Sequence, residues 1–214
     1  MNQVVQDKMQ REIMVVKNTA LFWDISRESK VYTTSESDFE SKILANYEYM
    51  VRGEAEVNFD YKQPITYAIV MNEQNDIFVY TRGDKNSNAW ESRLHNKLAI
   101  GVWGHLEKDS EDSINPLRDC LERELEEEIA LKKSSIVESF PIGYINDERY
   151  EVGKVHIWVA YLVRVKDFEA KMEDGELASG SFQTYAKLKE MIASWEYDVE
   201  GWTDLLAPEI EKYL

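Results

Sequence analysis

The segment Arg123-Glu124-Leu125-Glu126-Glu127-Glu128-Ile129-Ala130-Leu131 places four glutamates in nine residues, with Glu122 one position earlier. On a helix advancing about 100° per residue, Glu124, Glu127 and Glu128 fall within an arc of roughly 100°, and Glu122 and Glu126 project to the opposite side. Like charges at i+3 and i+4 each cost about 0.2–0.5 kcal/mol, and carboxylates near a helix C-terminus oppose the macrodipole by roughly 0.3–1 kcal/mol. Three oxygen donors on one face are what a hard divalent cation such as Mg²⁺ requires, and its charge reverses both penalties. The plain alternative is a solvated acidic surface, softened by Lys132 and Lys133 beyond the helix end.

The charge of the whole chain points the same way. With 41 acidic and 25 basic residues among 214, the formal net charge is −16. Such a surface repels nucleic-acid polymers and anionic membranes, so neither is expected as a partner, and a phosphate-bearing substrate needs a bound cation to mediate. Cys120 is the only cysteine and excludes an internal disulfide, which suits a reducing compartment. His95, His105 and His156 are scattered, so a closed structural zinc site is not expected. No basic stretch leads into an apolar run at the start, and no stretch of about 18 apolar residues occurs. A soluble, cytoplasmic protein is the expectation.

The elements that must position these residues follow from periodicity. Residues 11–24 read as one or two strands, and residues 35–50 as a helix with Ser37 and Glu40 as a capping box and Phe39, Ile43, Leu44 and Tyr47 at helical spacing. Residues 65–71 and 77–82 form a hairpin around a polar turn, and 97–105 form a strand ending in glycine. Asn115 caps a helix carrying Pro116 in its first turn and running to about Ala130. Strands follow near 135–147 and 154–165, then an acidic loop over 172–180 and two closing helices. This order predicts an α/β or α+β sandwich. Cys120, between Leu117 and Leu121, reads as packing.

The nine residues from Arg123 to Leu131 resemble the second half of the Nudix box, which runs Arg, Glu, aliphatic, any, Glu, Glu, any, Gly, aliphatic. The glycine-ended strand Gly101–His105 upstream and the strand carrying Val152–His156 downstream are similar to the predicted phosphoesterase-like branch, over roughly Gln63 to Leu188. The resemblance implies a mixed-sheet α/β/α sandwich, with residues 1–60 as an N-terminal strand-and-helix extension packed on a Nudix domain of residues 61–214. It implies a hydrolase that cleaves a diphosphate bond in a nucleoside-diphosphate-linked small molecule, using Mg²⁺ or Mn²⁺. By position, Glu127 and Glu128 are metal ligands, Glu124 is a ligand or the base that activates water, and Arg123 orients the glutamates. The Gly104 carbonyl and Glu176, with Glu173 as second choice, are further candidate ligands. Homodimers are common in the family. Two alternatives are carried: a non-catalytic nucleotide-binding or regulatory module, and an enzyme similar to isopentenyl-diphosphate isomerase, which needs an early-loop cysteine where Cys120 does not lie.

Four residues are candidates for substrate binding. Arg82 and Arg93 can clamp phosphate oxygens in bidentate fashion. His105 contacts a phosphate or is structural, and Trp103, with Trp158, stacks a base or packs. Trp90 is a weaker aromatic candidate. The chain also departs from the box: Asn115 stands where a glutamate is usual, the loop between Gly104 and Arg123 is longer, and Glu111, Asp109 or Asp112 are the nearby replacements. Ala130 replaces the box glycine, a substitution costing about 1 kcal/mol if that residue needs positive φ.

Overall fold

The computed structural model describes residues 3–83, 96–108, 113–171 and 177–214. After α1 (Gln3–Met9), the apolar run Ile13–Val16 is buried along its length in β1 (Glu12–Lys17). The expected second strand is the short helix α2 (Asn18–Leu21), because Asn18 ties both its backbone N–H and its side chain to the 59–60 segment. β2 (Lys30–Tyr32) precedes α3 (Phe39–Asn46). Here the cap is Asp38, which accepts from the Ser41 N–H at 3.0 Å and hydroxyl at 2.6 Å, and Ser37 is engaged by Lys42 at 2.9 Å. The helix also ends early. Tyr47–Met50 belong to β3 (Tyr47–Val51), antiparallel to β1 from Glu12 opposite Val51 to Val16 opposite Tyr47. Cross-strand pairing of an aromatic-rich segment overrides its helical spacing there.

The single turn α4 (Arg52–Ala55) leads to β4 (Tyr61–Met71) and β5 (Ile77–Arg82). These two strands make the expected hairpin, its turn held by Asn72 Oδ1, which accepts from the N–H of Gln74 at 3.0 Å and of Asp76 at 2.8 Å. The expected strand over 97–105 is broken at Ile100 into β6 (Lys97–Ala99) and β7 (Gly101–His105). Asn115 caps α5 (Pro116–Ile129), accepting from the Arg118 N–H at 3.2 Å. β8 (Ile136–Asn146), the turn α6 (Glu151–Lys154) and the almost wholly buried β9 (His156–Val165) follow. Part of the expected acidic loop is β10 (Leu177–Gln183), and α7 (Tyr185–Ala193), β11 (Asp198–Val199) and α8 (Gly201–Ile210) close the chain. The principal strand order is β11-β6-β5-β4-β9-β8-β2; β11 runs parallel to β6, and the β10–β5 and β2–β8 pairs are antiparallel.

By contacts the chain forms two compact units. The first comprises residues 1–66, 104–120 and 143–160, the second residues 67–103, 121–142 and 161–214. In the first, Ile13, Val15 and Ala55 pack with Met50 and Tyr61, and Phe22, Tyr32, Phe39 and Tyr144 form a chain of tilted rings. In the second, Tyr67, Phe78, Tyr80, Leu206 and Ile210 are buried, and Tyr67 is hydrogen-bonded to Thr203 at 3.0 Å.

A buried lysine fixes the approach to β9. Lys62 Nζ, with its side chain fully enclosed, donates to Gly153 O and Glu148 Oε1, each at 2.6 Å. A side chain at Gly153 would collide with the Asp147 carbonyl, its Cβ only 1.7 Å away, so α6 has to close tightly under this lysine. Burial lowers the Lys62 pKa to about 8 despite the favourable Glu148 carboxylate. Glu148 is itself desolvated, but Arg27 and Lys62 together hold it below the usual carboxylate range.

Because the folded pKa of Lys62 lies below its ordinary value of 10.5, the unfolded chain binds the extra proton between about pH 8 and 10.5. Unfolding free energy from this group therefore rises with pH across that window, by roughly 3 kcal/mol in all, and is lost again as pH falls through 8. Urea denaturation at several pH values checks this: the stability difference between wild type and Lys62→Met moves in favour of wild type from pH 7.5 to 10.5.

Candidate active site

The second half of α5 lies in the second unit. Its apolar stripe Leu121, Leu125 and Ile129 is buried, as is Glu128 at 3% exposure. Arg123 Nη1 lies 2.7 Å from Glu124 Oε1 and 3.1 Å from Glu127 Oε2, so one guanidinium nitrogen joins two of the three carboxylates on this face. Glu124 is mostly covered and Glu127 is exposed. On the other side Glu122 meets Lys133 at 2.8 Å. The helix ends with Ala130 at φ 56°, its N–H bonded to Glu126 O at 3.1 Å and the Leu131 N–H to Leu125 O at 3.0 Å. The bond from the Ala130 N–H to Glu126 O is that of an αL helix end, built here on alanine where glycine carries no steric penalty.

A second cluster of charge in the same unit surrounds Arg82. Its Nε lies 3.1 Å from Glu200 Oε1, and both residues are buried. The guanidinium stacks 5.1 Å from the Tyr80 ring centroid and 4.9 Å from that of Trp103. Burial opposes its charge, but the surrounding acids Tyr80, Glu200 and Glu128 outweigh that and raise its pKa. Burial pushes the Glu200 carboxyl up, with Arg82 pulling the other way. Glu128 is therefore a buried carboxylate in the field of a buried guanidinium, the arrangement that makes such burial tolerable.

In the first unit, the carbonyls of Gly104 and His105 accept from the Cys120 thiol at 3.8 and 3.4 Å, and Thr66 Oγ1 lies 3.3 Å from the same sulfur. His105 and His156, both buried, put their Nε2 atoms 3.1 Å apart, and His156 Nδ1 lies 2.6 Å from Val152 O. The Trp158 ring, also buried, sits 5.9 Å from that of His156. A carboxylate oxygen of Glu56, at the C-cap of α4, completes a group in which one ligand atom from each of Glu56, His105 and His156 lies within 4.8 Å of the others.

Of the residues singled out from sequence, Arg123, Glu124, Glu127, Glu128, Arg82 and Trp103 belong to the second unit, and Gly104 and His105 to the first. Arg93, Glu176, Glu173, Trp90, Asp109, Glu111 and Asp112 lie outside the described residues. Sequence reasoning missed Glu56, Glu200 and the pairing of His105 with His156. Glu56 stands in a stretch without an extended periodic pattern and outside the span of the box resemblance. Glu200 sits between Val199 and Gly201 in a stretch that also carries Glu196, Asp198 and Asp204, with no local signal of burial. The histidine pair joins residues 51 positions apart, a contact that only strand packing creates.

No family model matches the chain. Protein YmaB of Bacillus subtilis strain 168 is 33% identical over 153 residues, which cover 70% of this chain and 72% of that protein. Among solved structures, Tm1382, a Nudix-type protein, aligns with a TM-score of 0.76 at 23% identity, over 95% of this chain and 100% of its own. The NUDIX domain of Shewanella oneidensis NrtR, crystallised with ADP ribose, aligns with a TM-score of 0.55 at 12% identity, over 81% and 97%. These likenesses show the expected fold, a mixed sheet flanked by helices in the Nudix-type α/β/α sandwich. Among the described residues no helix is long and apolar enough to cross a membrane.

Ala130 supplies a direct test of the helix end. Its left-handed φ costs an alanine about 1 kcal/mol that glycine does not carry. Ala130→Gly is expected to stabilise the protein by about that amount, a rise in melting temperature of roughly 2–4 °C by calorimetry for a chain of this size.

Proposed function

The chain belongs to one family with Bacillus subtilis YmaB and has the Nudix-type fold, and we propose that it is a Nudix-type, metal-dependent hydrolase cleaving a diphosphate bond in a nucleoside-diphosphate-linked small molecule. The observation that carries this reading is the joining of Glu124 and Glu127 through one nitrogen of Arg123, at 2.7 and 3.1 Å, with Glu128 buried on the same helix. All three donors are carboxylate oxygens, the kind Mg²⁺ or Mn²⁺ takes; among the described residues they do not stand gathered within 4.8 Å of one another as Glu56, His105 and His156 do, so holding an ion would require their side chains to turn inward. When bound, such an ion neutralises phosphate oxygens and lowers the pKa of attacking water.

The chain's own residues then divide the work. Glu127 and Glu128 would hold the ion, and Glu124 would be either a further ligand or the base that takes the proton from water. Arg123 restrains the rotamers of Glu124 and Glu127, so their oxygens stay together at little entropic cost. Arg82 acts on Glu128 through its field and holds the Trp103 indole by its face. Trp103 is the proposed platform for a base. Arg93 is the proposed contact to phosphate oxygens. Arising from sequence alone, Glu176 is the proposed additional ligand. The ADP ribose bound by the NrtR NUDIX domain supports the substrate class.

Incubation with a panel that includes ADP-ribose, nucleotide sugars and dinucleoside polyphosphates, with Mg²⁺ or Mn²⁺ and chromatographic detection of products, tests the proposal. Turnover of at least one compound is expected. Glu127→Gln is expected to lower kcat/KM at least about a hundredfold, some 2.7 kcal/mol of transition-state stabilisation, with unchanged far-UV circular dichroism. Tight binding of a panel member with no turnover of any overturns the reading and leaves a non-catalytic nucleotide-binding module.

A further inference from the structure

Glu56, His105 and His156 meet in the first unit from the end of α4, the last residue of β7 and the first of β9. We propose that these three residues bind one divalent transition-metal ion of the zinc type, which ties α4 to β7 and β9. The inference is independent of the hydrolase reading, which concerns carboxylates of α5.

The geometry supplies the ligands nearly in place. The two Nε2 atoms are 3.1 Å apart, close to the roughly 3.3 Å separating neighbouring ligands around a tetrahedral ion with bonds of about 2.0–2.1 Å. A Glu56 oxygen lies within 4.8 Å of the imidazole nitrogens, and a side-chain rotation closes the remainder. His156 is already in the ligand tautomer. The Val152 carbonyl can only accept, so His156 Nδ1, 2.6 Å away, carries the proton and leaves the Nε2 lone pair for a metal. Such an outer hydrogen bond is what orients metal-ligating imidazoles elsewhere. Val152 is itself held, because α6 is anchored through Gly153 O to the buried Lys62. In the metal-free pair His105 Nε2 is the donor to His156 Nε2, so His105 joins the ligand set by moving that proton to its Nδ1.

Chemistry selects the ion. Two neutral imidazoles and a carboxylate favour zinc and its neighbours over Mg²⁺, which takes oxygen ligands in octahedral geometry. Burial of both histidines removes competing water, and Glu56, 17% exposed, brings the charge that offsets the ion's desolvation. Arg52 Nε, 3.5 Å from Glu56, positions that carboxylate from within α4. Three protein ligands leave the fourth position to water, an open site rather than the closed four-ligand kind. The site also gives His105 an occupation other than phosphate.

The full chain, stripped with chelator and held in excess Mg²⁺ to occupy carboxylates, is titrated with Zn²⁺ by calorimetry and with Co²⁺ by visible absorption. One equivalent of zinc is expected, with a rise in melting temperature and the d–d bands of four-coordinate cobalt. Glu56→Gln, His105→Asn and His156→Asn each weaken zinc about a hundredfold or more and abolish the cobalt bands, and Glu127→Gln leaves both unchanged. Absent cobalt bands in wild type, or zinc affinity unaltered in Glu56→Gln, overturn the proposal. Glu56 is partly exposed and not part of the histidine pair, so its variant decides the matter even if a histidine variant fails to fold.

Discussion

Repulsion among the carboxylates of α5 is the constraint around which the rest of this molecule is arranged. Left alone, three like charges on one helical face near a C-terminus disfavour the helix by an amount comparable to a sizeable share of a domain's net stability. The chain answers with two guanidinium groups used differently. Arg123 is partly exposed, and it meets Glu124 and Glu127 near the surface, where the pairing is weak in energy but fixes geometry. Arg82 is buried, held by Glu200 and by stacking on Tyr80 and Trp103, and its charge is what makes burial of Glu128 tolerable. A face partly neutralised by arginines and still net acidic is suited to exchanging the exposed pairing for a cation.

Much of this was readable from residue order, and the failures have physical causes. The hairpin of β4 and β5, the Asn115 cap and the α5 stripe are local: turn chemistry, a capping oxygen and helical periodicity decide them within a dozen residues. Strand β3 was misread as helix because the spacing of Phe39, Ile43 and Tyr47 extends past the residue where pairing with β1 takes over. The α3 cap was placed one residue early because Ser37 and Asp38 both offer an oxygen, and only the competing bond from Lys42 to Ser37 resolves the choice. The oxygen donors of α5 show in sequence because three to four residues separate neighbours on a helical face. Glu200 beside Arg82, and Glu56 beside His105 and His156, do not, since sheet pairing and single-turn helices bring them together without periodicity.

The buried cations share one logic. An acidic chain gains little from further surface carboxylates, so its lysines and arginines are most useful where they desolvate beside a carbonyl or carboxylate that fixes a turn. Lys62 carries a depressed pKa as the cost of clamping α6, and Arg52 sits buried within α4 beside Glu56. Both positions adjoin residues whose orientation matters: Val152, which sets the tautomer of His156, and Glu56 itself. The N-terminal stretch is thereby bound into the first unit by polar contacts as well as by the Ile13, Val15 and Ala55 core.

The two proposed cation sites differ in a way that lets one chain sort metals. Affinity of a given donor set rises along the first-row series to copper and falls again at zinc, with zinc still above manganese, so carboxylates alone do not refuse zinc on strength. They discriminate by geometry and abundance: an exposed, arginine-paired set such as Glu124 and Glu127 adjusts to an octahedral, largely hydrated ion that is plentiful. A pair of buried imidazoles does the reverse through its donor type, since neutral nitrogen suits a zinc-type ion and poorly replaces the water of a hard ion such as Mg²⁺. With both proposed sites filled, the imidazoles would favour a zinc-type ion and the α5 carboxylates the hard ion that phosphate chemistry uses.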